Sequence, residues 1–392
     1  MEAHAKIACM RVGFLLGAGV SIPVGMPCTG ELTRRVLDTT GYTLHPSRGF
    51  AKSIPGMRGA NDWPVKQQDL GRFLNLVRDD CERYFDAEKK QNRQVNYEDI
   101  FFVASQLVEH LSQDYENPAM QPFAQSLDER LKGSRLHSSL EEVADLACNY
   151  IQDVVAIELK AVPVPVTLNH LNCLLDAVSD TGFSGCDIFT LNHDVLIESA
   201  LESREISFVD GFGPPDGDFA PWSPRELEKN ARTLLLKLHG SVNWRRYNGA
   251  LKKTLTADPD HAVTANGTMA PIPAREIPVL LGTFNKIRDY FGQPYFDLFA
   301  SLRTQLLSIG LLIVSGYSFG DKGVNSVLTE WMRSGEGRKM LILSAGGENC
   351  VAHGRGAIRG LWSRYSNRGM YVHPAYLSDC NWDSLVEKYG LK

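Results

Sequence analysis

The sequence predicts an α/β fold, a doubly wound parallel sheet that carries a mainly helical insertion. Three observations support this prediction. Apolar runs of about five residues recur along the chain, and each is long enough for a buried strand. Each run ends in a polar turn and is followed by residues with helical spacing, as in folds that alternate strands and helices. Between residues 67 and 160, helical periodicities occur without intervening strands.

The composition indicates a folded chain with a large core. Of the 392 residues, 43% are hydrophobic and 22% are charged, which argues against wholesale disorder. The formal net charge is −5, which argues against a globally basic nucleic-acid-binding protein. The length suits one large domain or two ordinary ones.

The cysteines and the first residues bear on metal binding and location. The eight cysteines include no Cys-x-x-Cys pair, so we expect no zinc site built from cysteine pairs and no metal cofactor. The first ten residues are charged and lack a long apolar segment, and no apolar run in the chain approaches the length of a membrane span. We therefore expect a cytoplasmic protein with reduced thiols and no membrane contact.

The first predicted strand covers residues 12–16 and runs directly into Gly17-Ala18-Gly19. Glycines at such a turn let the backbone bend tightly and let N–H groups approach a phosphate closely. A helix is predicted next, over residues 29–37, from the spacing of its apolar side chains. Because Ile22 occupies the third glycine position of the G-x-G-x-x-G pattern, a plain strand-to-helix turn is the alternative interpretation.

The insertion is predicted to follow the first 45 residues. Residues 46–66 contain Pro, Gly and Ser without periodicity and predict a loop, and residues 67–160 predict several helices. The chain then returns to alternating strands and helices. These patterns assign residues 1–45 and 161–392 to one domain and residues 46–160 to the helical insertion.

Five further strands and five further helices are predicted after the insertion. The strands cover residues 186–190, 234–238, 311–316, 340–344 and 370–372. The helices cover residues 170–178, 195–201, 296–307, 324–331 and 382–389. This alternation is typical of a Rossmann-like sheet, whose ligands bind outside the carboxyl ends of the strands.

Polar turns follow four of the predicted strands. They are Gly17-Ala-Gly-Val-Ser21, Thr190-Leu-Asn-His-Asp194, Leu238-His-Gly-Ser241 and Gly316-Tyr-Ser-Phe-Gly-Asp321. Because parallel strands end at the same edge of a sheet, these turns are expected to converge on one crevice although they are far apart in the sequence.

The order and spacing of these four motifs resemble the sirtuin (silent information regulator) family over about residues 10–35 and 185–345. The resemblance is strongest to the sirtuin-like NAD hydrolase domains of prokaryotic anti-phage defence systems, which share the short first loop and the Gly-Tyr-Ser turn. It implies that NAD⁺ is the substrate and that its nicotinamide N-glycosidic bond is cleaved to nicotinamide and ADP-ribose. It also implies that NAD⁺ is depleted in an abortive response to phage.

The resemblance further implies which residues bind NAD⁺. They are Gly17, Ala18, Gly19, Ser21, Pro27, Thr190, Asp194, Gly316 and Ser318. In the family, the first turn holds the diphosphate, the acidic residue of the second faces the nicotinamide end, and the Gly-x-Ser turn meets ribose and phosphates.

Asn192 and His239 are the catalytic residues that the resemblance implies. Nicotinamide leaves from an oxocarbenium-like centre without needing a general acid, so positioning and polar stabilisation are what the protein must supply. Asn192 would orient a water, and His239 would accept a proton from that water or from a ribose hydroxyl. Taken alone, His239 is also compatible with a core histidine, and we expect the neighbouring His193 to point away or to pack.

The polar residues of the turns also have purely structural interpretations. Asn192 is a common turn former, and Asp194 suits the start of the helix over residues 195–201. Ser318 and Asp321 are both plausible caps for the helix that follows them.

Two departures from the sirtuin deacylases bear on which molecule accepts the ADP-ribosyl group. Those enzymes carry Asp-Phe-Arg after the proline of the first loop, whereas Pro27 is followed by Cys28-Thr29-Gly30. They also carry a zinc module of two cysteine pairs beside the acyl-lysine groove, whereas residues 245–310 contain no cysteine. Water is therefore the expected acceptor. Protein deacylation or ADP-ribosyl transfer is one alternative, and a catalytically silent nucleotide-binding subunit is another.

The resemblance also suggests partners. An activity that depletes NAD⁺ must be silent until triggered, and most of the chain is accounted for by the sheet and the insertion. We therefore expect control in trans, through a homo-oligomer and a complex with a HerA-type hexameric ATPase, with a short Argonaute-type module as the alternative. The helical insertion is the expected assembly surface, and no direct nucleic-acid binding is expected.

Overall fold

The computed structural model of the chain describes residues 10–45, 49–54, 59–87, 94–113, 117–132, 138–165, 167–247, 249–256, 263–267, 279–281 and 292–391. The chain forms two compact units. The sheet unit comprises residues 1–26, 162–271 and 287–392, and the helical unit comprises residues 27–161 and 272–286. The division into domains expected from the sequence stays a prediction.

The elements are numbered in chain order. The strands are β1 Arg11–Leu16, β2 Tyr42–His45, β3 Gly49–Lys52, β4 Gly185–Thr190, β5 Phe219–Pro221, β6 Thr233–Lys237, β7 Trp244–Tyr247, β8 Ala250–Thr254, β9 Ile309–Ser315, β10 Lys339–Leu343 and β11 Met370–His373. The α-helices are α1 Thr29–Leu37, α2 Trp63–Ala87, α3 Tyr97–Leu111, α4 Gln121–Lys132, α5 Leu140–Lys160, α6 Asn172–Ser179, α7 Leu196–Ser203, α8 Tyr295–Ser308, α9 Lys322–Arg333, α10 Asn349–Ala352, α11 Ile358–Tyr365 and α12 Trp382–Tyr389.

Six strands of the sheet unit form one parallel sheet in the order β11-β10-β9-β1-β4-β6. Numbered along the chain, they lie in the order six, five, four, one, two, three. This is the arrangement of a doubly wound sheet, and its switch point falls between β1 and β9. The predicted fold class is therefore confirmed, and each of the six predicted strands lies close to its expected position.

The sheet is apolar because helices cover it. Every residue of β4 is buried, and β1 and β9 are buried apart from one partly exposed residue each. Trp382 of α12 packs on Phe14 and Phe183, with ring centroids 6.3 and 5.9 Å apart. Trp331 of α9 donates its indole N–H to the carbonyl of Ile309 at 3.1 Å. Continuous apolar strands of this kind are typical of parallel sheets.

A small antiparallel sheet, in the order β5-β8-β7, also belongs to the sheet unit. Phe212, Trp222 and Trp244 pack beside it, and the ring centroid of Phe212 lies 5.2 Å from that of each tryptophan. Residues 248–275 are irregular in sequence, which predicts a surface loop or hairpin. That range contains β8, and part of it falls outside the described residues.

The helical unit contains α1 to α5 and one hairpin. Helices α3 and α5 begin at Asn96 and Ser139, whose side chains accept hydrogen bonds from amides of the first turn. This agrees with the several helices predicted for the insertion. Within the ranges given above, no helix combines the length and the apolar character that crossing a bilayer requires.

The loop expected over residues 46–66 is wrong in part, because β3 pairs with β2 as an antiparallel hairpin. Phe50 of β3 is buried and meets Trp63 and Tyr150 edge to face, at centroid distances of 5.3 and 5.0 Å. Its amide also donates to Asp153 at 2.9 Å. Two of these three contacts come from Tyr150 and Asp153, about 100 positions away, so local composition could not predict the hairpin.

An ion pair between a partly exposed arginine and a buried aspartate joins β1 and β4 of the sheet. Asp187, at the centre of β4, is fully buried and accepts from Arg11 of β1 at 2.9 Å (Nε) and 2.5 Å (Nη2). Burial raises the pKa of Asp187, and the neighbouring guanidinium opposes that rise. Removing one partner of such a pair leaves an uncompensated charge in the core.

Arg11→Met is predicted to lower the free energy of unfolding by about 3–5 kcal/mol at neutral pH, because it strands the Asp187 carboxylate. Without Arg11, the pKa of Asp187 in the folded state rises further above its unfolded value. The folded state then binds the proton more tightly, so the variant loses stability as the pH rises above the unfolded pKa.

Urea unfolding of wild type and Arg11→Met at pH 5 and pH 7.5 checks this prediction. The difference between the two proteins should shrink at the lower pH. A difference that stays constant or grows as the pH falls would contradict the assignment of the cost to Asp187.

Candidate functional site

Two glycine turns cross at the switch point of the sheet. The amide of Gly17, after β1, donates to the carbonyl of Ser315 at 2.9 Å, and that of Gly19 donates to Gly316, after β9, at 3.0 Å. A Cβ on Gly17 would lie 2.5 Å from the Gly316 oxygen. Gly316 has φ of +65°, and a Cβ there would lie 2.6 Å from the amide of Val20. Both glycines are thus required by backbone-to-backbone contact.

This crossing occupies most of the backbone amides of the first turn. The amides of Gly17 and Gly19 bond to the β9 turn, and those of Val20 and Ser21 bond back to Gly17 and Ala18. Of the five amides from Gly17 to Ser21, that of the exposed Ala18 has no backbone partner among the described residues. The glycines therefore have a role in chain packing that the sequence pattern did not indicate, and their contact with a diphosphate stays a prediction.

A cleft of about 480 Å³ opens beside the crossing, at the carboxyl ends of β9 and β10. Gly316, Ser318 and Ser344 line it together with His170, whose pKa is lowered by burial. Within the described residues its lining includes no Asp, Glu, Lys or Arg side chain. A neutral wall of apolar and hydroxyl groups suits a nucleoside better than a phosphate.

Asn192, after β4, is held by the first turn. Its Nδ2 donates to the carbonyl of Gly17 at 3.1 Å and to Ser21 Oγ at 3.0 Å. Since a carbonyl only accepts, the amide must present its NH₂ group to Gly17. The backbone amide of Asn192 donates to Thr190 Oγ1 at 3.1 Å. The side-chain oxygen, Oδ1, is buried and has no hydrogen-bond partner among the described residues.

Asp194 is fixed from three sides. Its Oδ2 accepts from Ser21 Oγ at 2.8 Å, and its Oδ1 accepts from the amide of Leu196 at 3.1 Å. The second bond is the helix-start role that the sequence suggested for it. Its carbonyl accepts from Lys237 Nζ, which also pairs with Glu198 at 2.9 Å.

Lys237 and Glu198 were missed from the sequence. Both are buried, and burial raises the pKa of Glu198 while Lys237 opposes that rise. A signal was present in each case, since Lys237 ends an apolar strand and Glu198 lies on the buried side of α7. The pair stabilises the loop that carries Asn192, because Lys237 also donates to the carbonyl of Asp194.

His239 follows β6 and reaches Asp321. Its Nε2 lies 3.2 Å from Asp321 Oδ2, and both side chains are buried. Asp321 also begins α9, as expected, because its Oδ1 accepts from the amides of Gly323 and Val324. The contact with His239 was not anticipated. The ring of His193 lies 6.3 Å from that of His239, centroid to centroid, so it packs beside the site.

Hydrogen bonds within the turn after β9 surround Asp321. Tyr317 donates its hydroxyl to Asn325 Oδ1 at 2.9 Å and accepts from the amide of Asp321 at 3.1 Å. Asn325 Nδ2 donates to the carbonyl of Phe319, a residue with φ of +55°. Asn325 is fully buried, so these bonds are shielded from water.

The structure thus joins most of the predicted site residues by direct bonds. Ser21, Thr190, Asn192 and Asp194 form one hydrogen-bonded group with Gly17, and Gly19 and Gly316 meet at the crossing. Ser318 lines the cleft and is exposed. Pro27 is the first residue of the helical unit, so its role at the site stays a prediction.

In the described part of the chain, no group of three or more His, Cys, Asp or Glu side chains is placed to hold a metal ion.

Gly316→Ala is predicted to cost about 2 kcal/mol or more of folding free energy, since it adds a steric clash to an unfavourable backbone conformation. Gly25 is the matched control, because it has φ of +84° but a Cβ there would have no atom within 4 Å. Gly25→Ala should therefore cost only about 1 kcal/mol. Denaturant unfolding of both variants checks this, and equal losses would contradict the role of the crossing.

Comparison with known proteins adds family information. A family model described as a SIR2-like domain matches residues 187–366. The match contains the second, third and fourth motifs and excludes the first turn. No match was found among curated proteins. The family match supports a sirtuin-like domain, a class whose members are generally NAD-dependent enzymes.

Proposed function

We propose that this protein hydrolyses NAD⁺ at the nicotinamide N-glycosidic bond and releases nicotinamide and ADP-ribose. The SIR2-like match supports NAD-related catalysis in the broad sense. The observation that carries the more specific proposal is the buried, unpartnered side-chain oxygen of Asn192 at the carboxyl edge of the sheet, within the part of the chain that the structure describes.

Asn192 Oδ1 is an acceptor held in one orientation. Both hydrogens of its amide are used, one by Gly17 and one by Ser21, so rotation would break two bonds. A buried acceptor without a partner carries a cost that a ligand or a water would relieve. A water held there would donate one O–H to Asn192 Oδ1. Its lone pair would then be free to attack the ribose carbon that carries nicotinamide.

His239 supplies a base for the same water. The reaction expels nicotinamide from an oxocarbenium-like ribose, so the remaining demands are a positioned nucleophile and a proton acceptor. A well-placed histidine contributes about 10²–10⁴-fold to such a step. The expected roles of Asn192 and His239 in orienting water and accepting its proton fit this chemistry.

The neutral cleft supports a direction for the substrate. Its wall of Gly316, Ser318, Ser344 and neighbouring apolar groups suits the adenosine half of the molecule. The nicotinamide half would then lie toward Asn192, Asp194 and His239, which follow the strands on the other side of the switch point. This direction agrees with the roles that the sirtuin resemblance implies.

Water as the acceptor is supported by the segment after His239. A zinc module with two cysteine pairs would need cysteines in residues 245–310, and the sequence has none there. The described part of that segment contains the hairpin of β7 and β8. Protein deacylation and ADP-ribosyl transfer remain outcomes of the assay below.

NAD⁺ consumption resolved by product tests this function. Wild type should give nicotinamide and ADP-ribose, and Asn192→Ala and His239→Ala should each lower the rate about 10²-fold or more. Asn149→Ala and His353→Ala, at exposed positions, are matched controls that should keep full activity. An O-acyl-ADP-ribose product with an acyl-peptide would favour deacylation instead, and bound but unconsumed NAD⁺ in every assembly would favour a silent subunit.

The biological setting forms part of the same proposal. Depletion of NAD⁺ would serve an abortive anti-phage response, and the activity would be released in a homo-oligomer with a HerA-type ATPase or, alternatively, a short Argonaute-type module. The helical unit is the proposed assembly surface. Its α2 exposes the large apolar side chains of Tyr84 and Val65, with relative accessibilities of 53% and 37%. Such side chains suit a surface that a partner covers in the assembly.

Native mass spectrometry of the chain with and without the ATPase checks the assembly. Tyr84→Glu is predicted to weaken the complex at least about tenfold, because it places a charge in an apolar contact. Leu307→Glu is the control, because Leu307 is an exposed residue of α8 in the sheet unit, and this variant should assemble normally. A strict monomer under all conditions would exclude the proposed assembly.

A further inference from the structure

The carboxylate of Asp321 and the imidazole of His239 come from opposite halves of the sheet. His239 follows β6 at one edge, and Asp321 follows β9 on the far side of β1 and β4. Their side chains are 9% and 5% exposed, and Oδ2 lies 3.2 Å from Nε2. We infer that Asp321 is a positioning residue that orients His239 and selects its tautomer for proton transfer. This inference rests on the proposed NAD⁺ hydrolysis.

The start of α9 holds the carboxylate in place. Oδ1 accepts from the amides of Gly323 and Val324 at 2.8 and 3.1 Å, so it is committed to the helix. The other oxygen, Oδ2, is therefore turned toward His239. A helix cap by itself needs one acceptor atom and does not need a histidine beside it.

The pairing decides where the imidazole carries its proton. A carboxylate only accepts, so in the neutral imidazole a hydrogen bond from Nε2 of His239 to Asp321 places the proton on Nε2 and the lone pair on Nδ1. Nδ1 is then the base. An aspartate that orients a histidine in this way is the logic of hydrolytic triads, with water in the place of the serine.

The resulting step balances. The water oxygen forms a bond to the anomeric carbon of the ribose as the bond to nicotinamide breaks, and the bonding pair leaves with nicotinamide. One water proton moves to Nδ1, and the imidazolium that forms is stabilised by Asp321. The proton then passes to solvent, which leaves ADP-ribose, neutral nicotinamide and one proton as products.

Asp321→Asn separates orientation from capping. Asn is an equally good cap, and with its oxygen on α9 its NH₂ group faces Nε2 of His239. That donor favours the opposite tautomer, with the proton on Nδ1, and so removes the base. Asp321→Ser also keeps a helix cap, but the shorter side chain cannot reach His239. The imidazole then lacks the hydrogen-bond partner that orients it.

Steady-state kinetics with the full chain, in the assembly in which wild type is active, form the first test. Asp321→Asn should lower kcat about 10²-fold or more and change KM less than about threefold, with a smaller loss for Asp321→Ser. The double variant with His239→Ala should be no slower than His239→Ala alone. Unchanged kcat in Asp321→Asn, or losses that multiply in the double variant, would overturn the inference.

Asn381→Ala controls for loss of a helix cap, because Asn381 caps α12 of the sheet unit at Ser384. Its kcat should match that of wild type. Thermal melting of every variant shows whether it is folded at the assay temperature.

The second test needs no turnover. Histidine-selective ¹⁵N NMR of the full chain, with the His239 signal assigned from its loss in His239→Gln, reports the tautomer directly. We expect a proton on Nε2 in wild type and on Nδ1 in Asp321→Asn. If wild type does not consume NAD⁺, the proposed function fails and the tautomer alone decides the pairing. The same His239 tautomer in wild type and Asp321→Asn would overturn the inference that Asp321 selects it.

Discussion

The close contact between the backbones of the two glycine turns is the constraint on which the site depends. Gly17 follows β1 and Gly316 follows β9, and neither position leaves space for a Cβ. The carbonyl of Gly17 in turn accepts from Asn192, so the position of that amide is set by the crossing. The chain beyond Gly316 leads within five residues to Asp321 and hence to His239. One steric fit thus aligns groups from both halves of the sheet.

The sheet and its flanking helices could be predicted because their signals are local. Each strand of the parallel sheet is an apolar run that ends in a polar turn, and helical spacing follows it. The hairpin of β2 and β3 could not be predicted in the same way. Its core residue, Phe50, is buried by Trp63 and Tyr150, so its stability comes from tertiary packing that composition does not reveal.

The placement of the candidate residues at one edge of the sheet was predictable, but the groups that hydrogen-bond to them were not. The four turns share a position after parallel strands, which places Asn192, Asp194 and His239 at one edge. Which groups hold them was not apparent, because Asp321, Lys237 and Glu198 bond across long stretches of sequence. Charged residues inside apolar runs were the available signal, and the bonds from the amides of Gly17 and Gly19 to the β9 turn could not be foreseen because their partners lie on another strand.

The neutral lining of the cleft has a consequence for how the protein would respond to its ionic surroundings. Attraction between fixed charges is screened by salt, whereas hydrogen bonds from hydroxyls and apolar burial are much less affected. A ligand seated against Ser318, Ser344 and the backbone of Gly316 would meet no fixed cation in the described lining. Its affinity would therefore vary little with ionic strength, and its arrival would depend on diffusion and fit without electrostatic steering.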